Sequence, residues 1–192
     1  MNPEFTPNLW PEESAPPEAA GCVRCELCKQ TTRVVWGEGN PGAPILAVLD
    51  NPGAREDRDG NEFVCGARRM LQTAAHEAGL SADELYVTFI LKCRPRRKYD
   101  KDVARAVCME HLTGQLRQKQ IKLAICLGNT ATQWFFGDLD LEVKKMRGSW
   151  YTVRGLPTAV TYHPLAVSRR PNLYRLFLSD WEMLARRYFN EM

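Results

Sequence analysis

The sequence predicts an α/β fold: a three-layer α/β/α domain around a central, mostly parallel four-stranded sheet. Three observations carry this expectation. Short apolar runs recur along the chain, each closed by a Gly-, Pro- or charge-rich loop. Segments of helical period lie between them, an alternation that favours parallel strands joined by crossover helices. A length of 192 residues with 44% hydrophobic composition suffices for one sizeable core.

The elements follow in order. Ile45–Leu49 is the first apolar strand, stopped by the turn DNPG. Glu62–Ala78 reads as a helix ended by Gly79, and Tyr86–Leu91 as the second strand. Asp100 or Asp102 starts a helix running towards Gln118, because a short carboxylate can accept from the free N–H groups of a first turn. Ile121–Leu127 is the third strand, and Asn129 is expected to cap a helix over Thr130–Phe136 before Gly137. Thr158–Tyr162 is a short fourth strand, and Leu173–Tyr188 has the period of a last amphipathic helix. Residues 1–20, rich in Pro and Glu, are expected to be a flexible extension, with residues 21–192 forming one domain. No internal repeat is evident.

Charge is unevenly divided. The first 20 residues hold Glu4, Glu12, Glu13 and Glu18 and no Lys or Arg, so the rest has 26 basic and 19 acidic residues, a formal charge of +7 against +3 for the whole chain. A basic body favours a polyanionic partner, although a solvated surface has the same composition. Nothing in the first 20 residues looks like an apolar signal segment, and no apolar run is long enough for a membrane span. The seven cysteines cannot all pair internally, so a reducing, cytoplasmic or nucleoid-associated setting is expected. Cys22, Cys25 and Cys28 crowd into CVRCELC, while Cys93 and Cys108 lie far downstream. Four thiolates gathered from both groups would hold a metal, and sulfur ligation alone leaves zinc and an iron–sulfur cluster both open.

Functional loops of a parallel sheet follow the C-terminal ends of its strands. Here they are DNPGAREDRDG, KCRPRRKYD, GNTATQ and HPLAVSRRP. Asp50 is placed to handle water and His163 to stabilise a developing anion, while Asp50 is equally suited to closing a turn. His76 and His111 fall in helices and are less distinctive. Arg94, Arg96, Arg97 and Lys98 form the densest basic loop, and Lys144, Lys145 and Arg147 a second basic track before GSW. Both read as DNA-backbone contacts or as solvated connections.

These segments together resemble the iron–sulfur-containing family 4 uracil-DNA glycosylases and their wider superfamily. The resemblance rests on CVRCELC followed by TRVVWGEGNPGAPILAV, then DRDGNEFV, YVTFILKCRPRRK, ICLGNTATQWFFG, KMRGSW and TYHPLAVSRRP, in the same order from Cys22 to the final helix. It implies Cys22, Cys25, Cys93 and Cys108 as ligands of a structural [4Fe–4S] cluster, with Cys28 as an extra cysteine. Cys65 and Cys126 are then core thiols. It further implies Phe63 stacking on an extruded base and His163 as the motif histidine; Asn51 and Phe89 are expected to border the same base. Leu165, Ala166 and Val167 would form an apolar wedge, and Arg169 and Arg170 would contact phosphate.

The chain also departs from the family pattern. The motif GEAPG is here LDNPG, with Asp50 at the acid position. Phe89 stands where the family carries the Asn that reads the uracil edge, and Cys65 replaces a glycine. Phe has no polar atoms for that task, so efficient uracil removal is not expected from this position alone, and the substrate is uracil or another damaged or modified base. The expected activity is monofunctional hydrolysis of an N-glycosidic bond in DNA by a monomeric enzyme, leaving an abasic site. The alternatives are a noncatalytic iron–sulfur DNA-binding module and a hydrolase directed at RNA or free nucleotides. The chain lacks the P-loop motif GxxxxGK[ST].

Overall fold

The computed structural model describes residues 5–58, 64 and 66–191. Its strands are β1 (Glu12–Glu13), β2 (Gly37–Gly39), β3 (Ile45–Leu49), β4 (Leu85–Phe89), β5 (Leu123–Leu127), β6 (Tyr151–Val153) and β7 (Leu156–Thr161). The α-helices are α1 (Pro17–Ala20), α2 (Ala54–Arg58), α3 (Gly66–Glu77), α4 (Lys101–Arg117), α5 (Asn129–Phe136), α6 (Val143–Met146), α7 (Pro164–Arg169) and α8 (Tyr174–Glu191). No helix among the described residues is long and apolar enough to cross a membrane.

The strands form one sheet in the order β1-β2-β4-β3-β5-β7-β6. β4, β3, β5 and β7 run parallel, while β1, β2 and β6 add antiparallel edges. The four expected strands are therefore the parallel centre of a seven-stranded sheet. Their continuous apolar runs follow from burial on both faces. Ile45, Ala47 and Leu49 join Leu85, Val87, Phe89, Leu123, Ile125 and Leu127 on one face, packed under α3 and α8. Leu46, Val48, Tyr86, Ala124 and Cys126 face the other way, against Leu112 of α4 and Phe135 of α5.

Local chemistry sets several boundaries. Asp100 caps α4, its carboxylate accepting from Asp102 N at 3.1 Å and Val103 N at 3.0 Å. Asn129, expected as a cap, is instead the first residue of α5. Its Oδ1 accepts from Val143 N at 2.9 Å and so pins α6.

The expectation of a flexible extension over residues 1–20 is corrected for its described part. Trp10 is buried in the core, and β1 pairs with β2. Asn8 N donates to Gln72 Oε1 at 2.8 Å while Gln72 Nε2 returns a bond to Asn8 O at 2.8 Å. Glu12 takes a forked pair from Arg33 at 2.5 and 2.6 Å. Glu13 accepts from Tyr86 Oη and meets Lys119 Nζ at 2.9 Å. The acidic residues that suggested disorder are the ones tied to distant cations.

Candidate active site

After β4 the chain crosses back over β3 to enter β5 on the far side. Such a reversal opens a crevice beyond the carboxyl ends of the strands. A cleft of about 1060 Å³ lies there, and Asp50, Phe89, Gly128 and His163, the residues at or just past the ends of β3, β4, β5 and β7, all line it. Asn51, Lys144, Leu165, Arg169 and Arg170 complete the rim.

Asp50 continues the β3 ladder, its carbonyl accepting from Leu91 N at 2.8 Å. Its side chain is less fully partnered. Arg105 Nη2 stands 3.6 Å from Oδ1, an ion-pair distance beyond a hydrogen bond, and Oδ1 is buried with no hydrogen-bond partner. Burial pushes this carboxyl above the usual range, and Arg105 with Lys101 pulls it back. A buried acceptor in this state is suited to receive a bond from water or ligand. Asn51 donates from Nδ2 to Pro52 O at 2.9 Å, closing the turn beside it.

His163 is held more rigidly. It is the N-cap of α7, and its Nδ1 accepts from Leu165 N at 3.1 Å. A neutral imidazole that accepts at Nδ1 carries its proton on Nε2, so the free ring nitrogen is a donor. Burial, helped by Arg169, holds His163 below the ordinary histidine value, which keeps the ring neutral. Gly128 makes room for the ring. It has φ of +97°, and a Cβ there would come 2.9 Å from His163 Cβ. Beneath this rim, Thr161 Oγ1 donates to Asp180 Oδ2 at 2.7 Å, and Arg147 clasps the same carboxylate at 3.0 and 2.8 Å.

Arg147, expected as a DNA contact, is engaged in this clasp within the protein. Its guanidinium also donates to Leu176 O at 2.8 Å and so ties the loop after α6 to α8. Lys144 and Lys145 point outward, Lys144 on the cleft rim and Lys145 paired with Glu142 at 2.5 Å. Leu165 is exposed and Ala166 half-buried at the cleft, as a wedge requires, but Val167 is buried in the core. Phe89 is buried at the cleft floor. Phe63 and Cys65 lie outside the described residues, and Cys126 is buried in the core as expected.

Sequence reasoning missed one polar feature of the cleft. Arg68, 4% exposed, bonds Glu38, 1% exposed, through Nε at 2.7 Å and Nη2 at 2.5 Å, with Glu56 at 3.7 Å. All three residues line the cleft wall. Glu38 sits between two glycines and Arg68 thirty positions away within a helical stretch, so only WGEGN, an acid inside an otherwise apolar strand context, signalled it.

The other basic loop folds over the N-terminal cysteines. Gln30 Oε1 accepts from Arg96 N at 3.0 Å and Arg97 N at 2.8 Å, while Arg94 N donates to Thr31 Oγ1 at 3.3 Å. Arg96 reaches the buried Asp57 at 2.5 Å and so braces the loop while staying exposed, as Arg97 and Lys98 do.

This folding gathers the thiols. Cys93 and Cys108 are buried together with Leu27 and Leu91, and Cys25 packs against them. Burial pushes the Cys93 thiol up to about 12, with the charges of Cys108, Cys25 and Cys22 acting in the same direction. Cys22 Sγ lies 3.4 Å from His111 Nε2, and Arg24 joins Glu110 of α4 at 2.6 Å. Cys28 N donates to Cys25 O at 3.3 Å, which sets it in the turn beside Cys25. Among the described residues no three Cys, His, Asp or Glu side chains converge on a single-ion site. Cys93, Cys108 and Cys25 nevertheless share one buried cluster, with Cys22 at its edge beside His111.

Comparison with known proteins places the chain in a family. The profile of the Uracil DNA glycosylase superfamily matches residues 36–185. The chain is 33% identical over 177 residues to the type-4 uracil-DNA glycosylase of Archaeoglobus fulgidus, spanning 87% of this chain and 88% of that protein. Identity is 31% over 176 residues to the type-4 enzyme of Sulfurisphaera tokodaii, covering 87% and 80% of the two chains. It is 31% over 167 residues to that of Thermotoga maritima, covering 84% and 86%. With a switch-point cleft, a motif histidine on its rim and these matches along most of its length, the chain belongs to the uracil-DNA glycosylase superfamily, in the type-4 family.

Proposed function

We propose that this protein hydrolyses the N-glycosidic bond of uracil, or of another damaged or modified base, in DNA and leaves an abasic site. The observation that carries the reading is the fixed tautomer of His163, which presents an Nε2–H donor to a cleft that also holds the incompletely partnered carboxylate of Asp50.

The target nucleotide is extruded into the cleft, where Phe89 offers an apolar wall. As the bond between C1′ and the base nitrogen breaks, its electron pair leaves with the base. His163 Nε2–H donates to the base carbonyl on which the negative charge gathers. Asp50, ionised, orients water towards C1′ and favours positive charge on the sugar. The water oxygen bonds C1′, one of its protons passes to Asp50, and the departing base takes up a proton from solvent. Phe89 supplies no polar contact to the base edge, so discrimination for uracil should be weaker than an amide at that position would give.

Cys22, Cys25, Cys93 and Cys108 are the residues that would hold a [4Fe–4S] cluster, with zinc as the alternative. Their all-thiol donor set suits either group, and the match to the type-4 family favours the cluster. When bound, it would supply no electron to the hydrolysis and would fasten the N-terminal segment and the basic loop to α4. Lys144, Arg169 and Arg170 on the rim, with Arg97 and Lys98 near the thiols, are the proposed phosphate contacts.

The deciding experiment incubates anaerobically purified protein with DNA carrying uracil or a panel of modified bases and measures released base and abasic sites by mass spectrometry. Release of one base that disappears in His163→Ala supports the reading. Tight DNA binding without release across the panel supports a noncatalytic DNA-binding module instead.

A further inference from the structure

Two arginines in this molecule fork onto carboxylates. Arg33 meets both oxygens of Glu12 at 2.5 and 2.6 Å, and Arg147 both oxygens of Asp180 at 3.0 and 2.8 Å. Such a fork occupies each oxygen with a charge-assisted bond. Arg105 and Asp50 do not close in this way. Nη2 of the arginine stops 3.6 Å from Oδ1, and buried atoms are left over on both partners. Arg105 Nε is a donor and Asp50 Oδ1 an acceptor, and neither has a hydrogen-bond partner among the described residues. The guanidinium thus lends its charge to Asp50 without taking up the oxygen, which keeps that lone pair for another donor.

The standoff is built from two helices. Arg105 projects from α4, and the Trp134 ring of α5 has its centroid 5.8 Å from the guanidinium carbon. An arginine over an indole is a cation–π contact, which holds the guanidinium on the side away from Asp50. The side chains of Arg105 and Asp50 are only 13% and 26% exposed, so water and salt screen the pair weakly. Lys101 lies one turn earlier on the same face of α4, and Tyr99 just before the helix feels both Asp50 and Arg105. The other walls of the cleft bring Glu56, Arg68, Glu142, Lys144, His163 and Arg169. Burial is the largest influence on the Asp50 carboxyl and raises it, while Arg105, ahead of Lys101, lowers it.

We infer that Arg105 is the positioning residue of Asp50, holding the carboxylate ionised and aimed from α4 while leaving Oδ1 to the water that attacks the sugar. The inference rests on the glycosylase reading given above and adds to it a residue outside the cleft, since Arg105 does not line it. Arg105 reaches the reacting atoms only through Asp50.

The test uses the full chain as wild type, Arg105→Met, Arg105→Lys, Asp50→Asn and the Arg105→Met/Asp50→Asn double variant. On DNA that the wild type processes, Arg105→Met should lower kcat for base release about tenfold with KM little changed. It should also move the acid limb of kcat/KM upward by about one pH unit, because burial then loses its main opponent and the carboxyl protonates at higher pH. Arg105→Lys keeps the charge and should recover most of both effects. In the Asp50→Asn background, Arg105→Met should cost no further factor, because the group it acts on no longer ionises. An equal loss in both backgrounds, or an unmoved acid limb in folded Arg105→Met, overturns the role. If Arg105→Met does not fold, Arg105→Gln takes its place in each comparison. A second readout needs no activity: a ¹³C NMR titration of the Asp50 carboxyl, assigned by its loss in Asp50→Asn, should show the same upward shift. A carboxyl that titrates alike with and without Arg105 overturns the inference. A wild type that releases no base overturns the glycosylase reading instead, and the NMR titration still decides whether Arg105 governs Asp50.

Discussion

The two rims of the cleft are built to different standards. On the β7 side, the His163 ring is fixed by Leu165 N, seated against Gly128 and backed by the Thr161, Asp180 and Arg147 network. On the β3 side, Asp50 has a fixed backbone but a buried oxygen without a hydrogen-bond partner, and its cation stands 3.6 Å away. The rigid rim suits a donor that must already point at developing charge. The looser rim suits a group whose partner, a water molecule, arrives with the substrate. Under the proposed mechanism, preorganisation is concentrated where negative charge would form.

The largest expected break in this contrast is His163→Ala, which should lower kcat/KM for base release by about 10²–10³-fold while leaving DNA affinity nearly unchanged. Steady-state kinetics and a binding titration on the same substrate separate the two effects. Asp180→Ala attacks the rigid rim from below. Removing one partner of a buried pair should destabilise the protein by about 3 kcal/mol in denaturant unfolding, whereas Asp50→Ala should cost little stability because its ion pair is already long.

Asp50→Asn should reduce kcat by roughly tenfold to a hundredfold. Asp50→Glu should retain more activity than His163→Gln if the β3 rim tolerates displacement. A loss in Asp50→Glu as large as that in His163→Gln, by single-turnover assay, would erase the distinction between the rims.

The pH profile sharpens the comparison further. The working form of His163 is the neutral ring, and burial with Arg169 depresses its pKa, so activity should persist as pH falls past about 6.5 and be lost only lower. Arg169→Gln removes one of the two causes and should shift the acid limb of kcat/KM upward. The smallest effects belong to the outer rim. Lys144→Ala and Arg170→Ala should each weaken DNA binding severalfold and reduce its salt slope by about one. Arg147→Ala should instead reduce stability and leave the slope alone.

What was legible in the sequence follows from which interactions are local. The parallel strands were readable because each is an unbroken apolar run, and α4 because Asp100 caps it within three residues. The edges were not. Gly37–Gly39 has little strand propensity and Glu12–Glu13 even less, and each exists as a strand through its neighbours. Glu12 and Glu13 looked like parts of a flexible tail because Arg33, Tyr86 and Lys119 are invisible at that range. The same blindness hid the Glu38 and Arg68 pair and gave Arg147 to the surface. Asp50 and His163 were legible because strand ends announce themselves, but the tautomer of one and the incomplete pairing of the other needed three dimensions.

The thiol pocket also imposes an order on biosynthesis. Cys22 and Cys25 are made early, but Cys93 follows near the midpoint of the 192 residues and Cys108 beyond it. Until α4 emerges, the N-terminal thiols have no partners and stand open to adventitious metals or oxidants. Any cofactor held by these four thiols would therefore be captured only after all four have emerged, which would make loading a late step of synthesis and leave the nascent thiols open to competing metals before it.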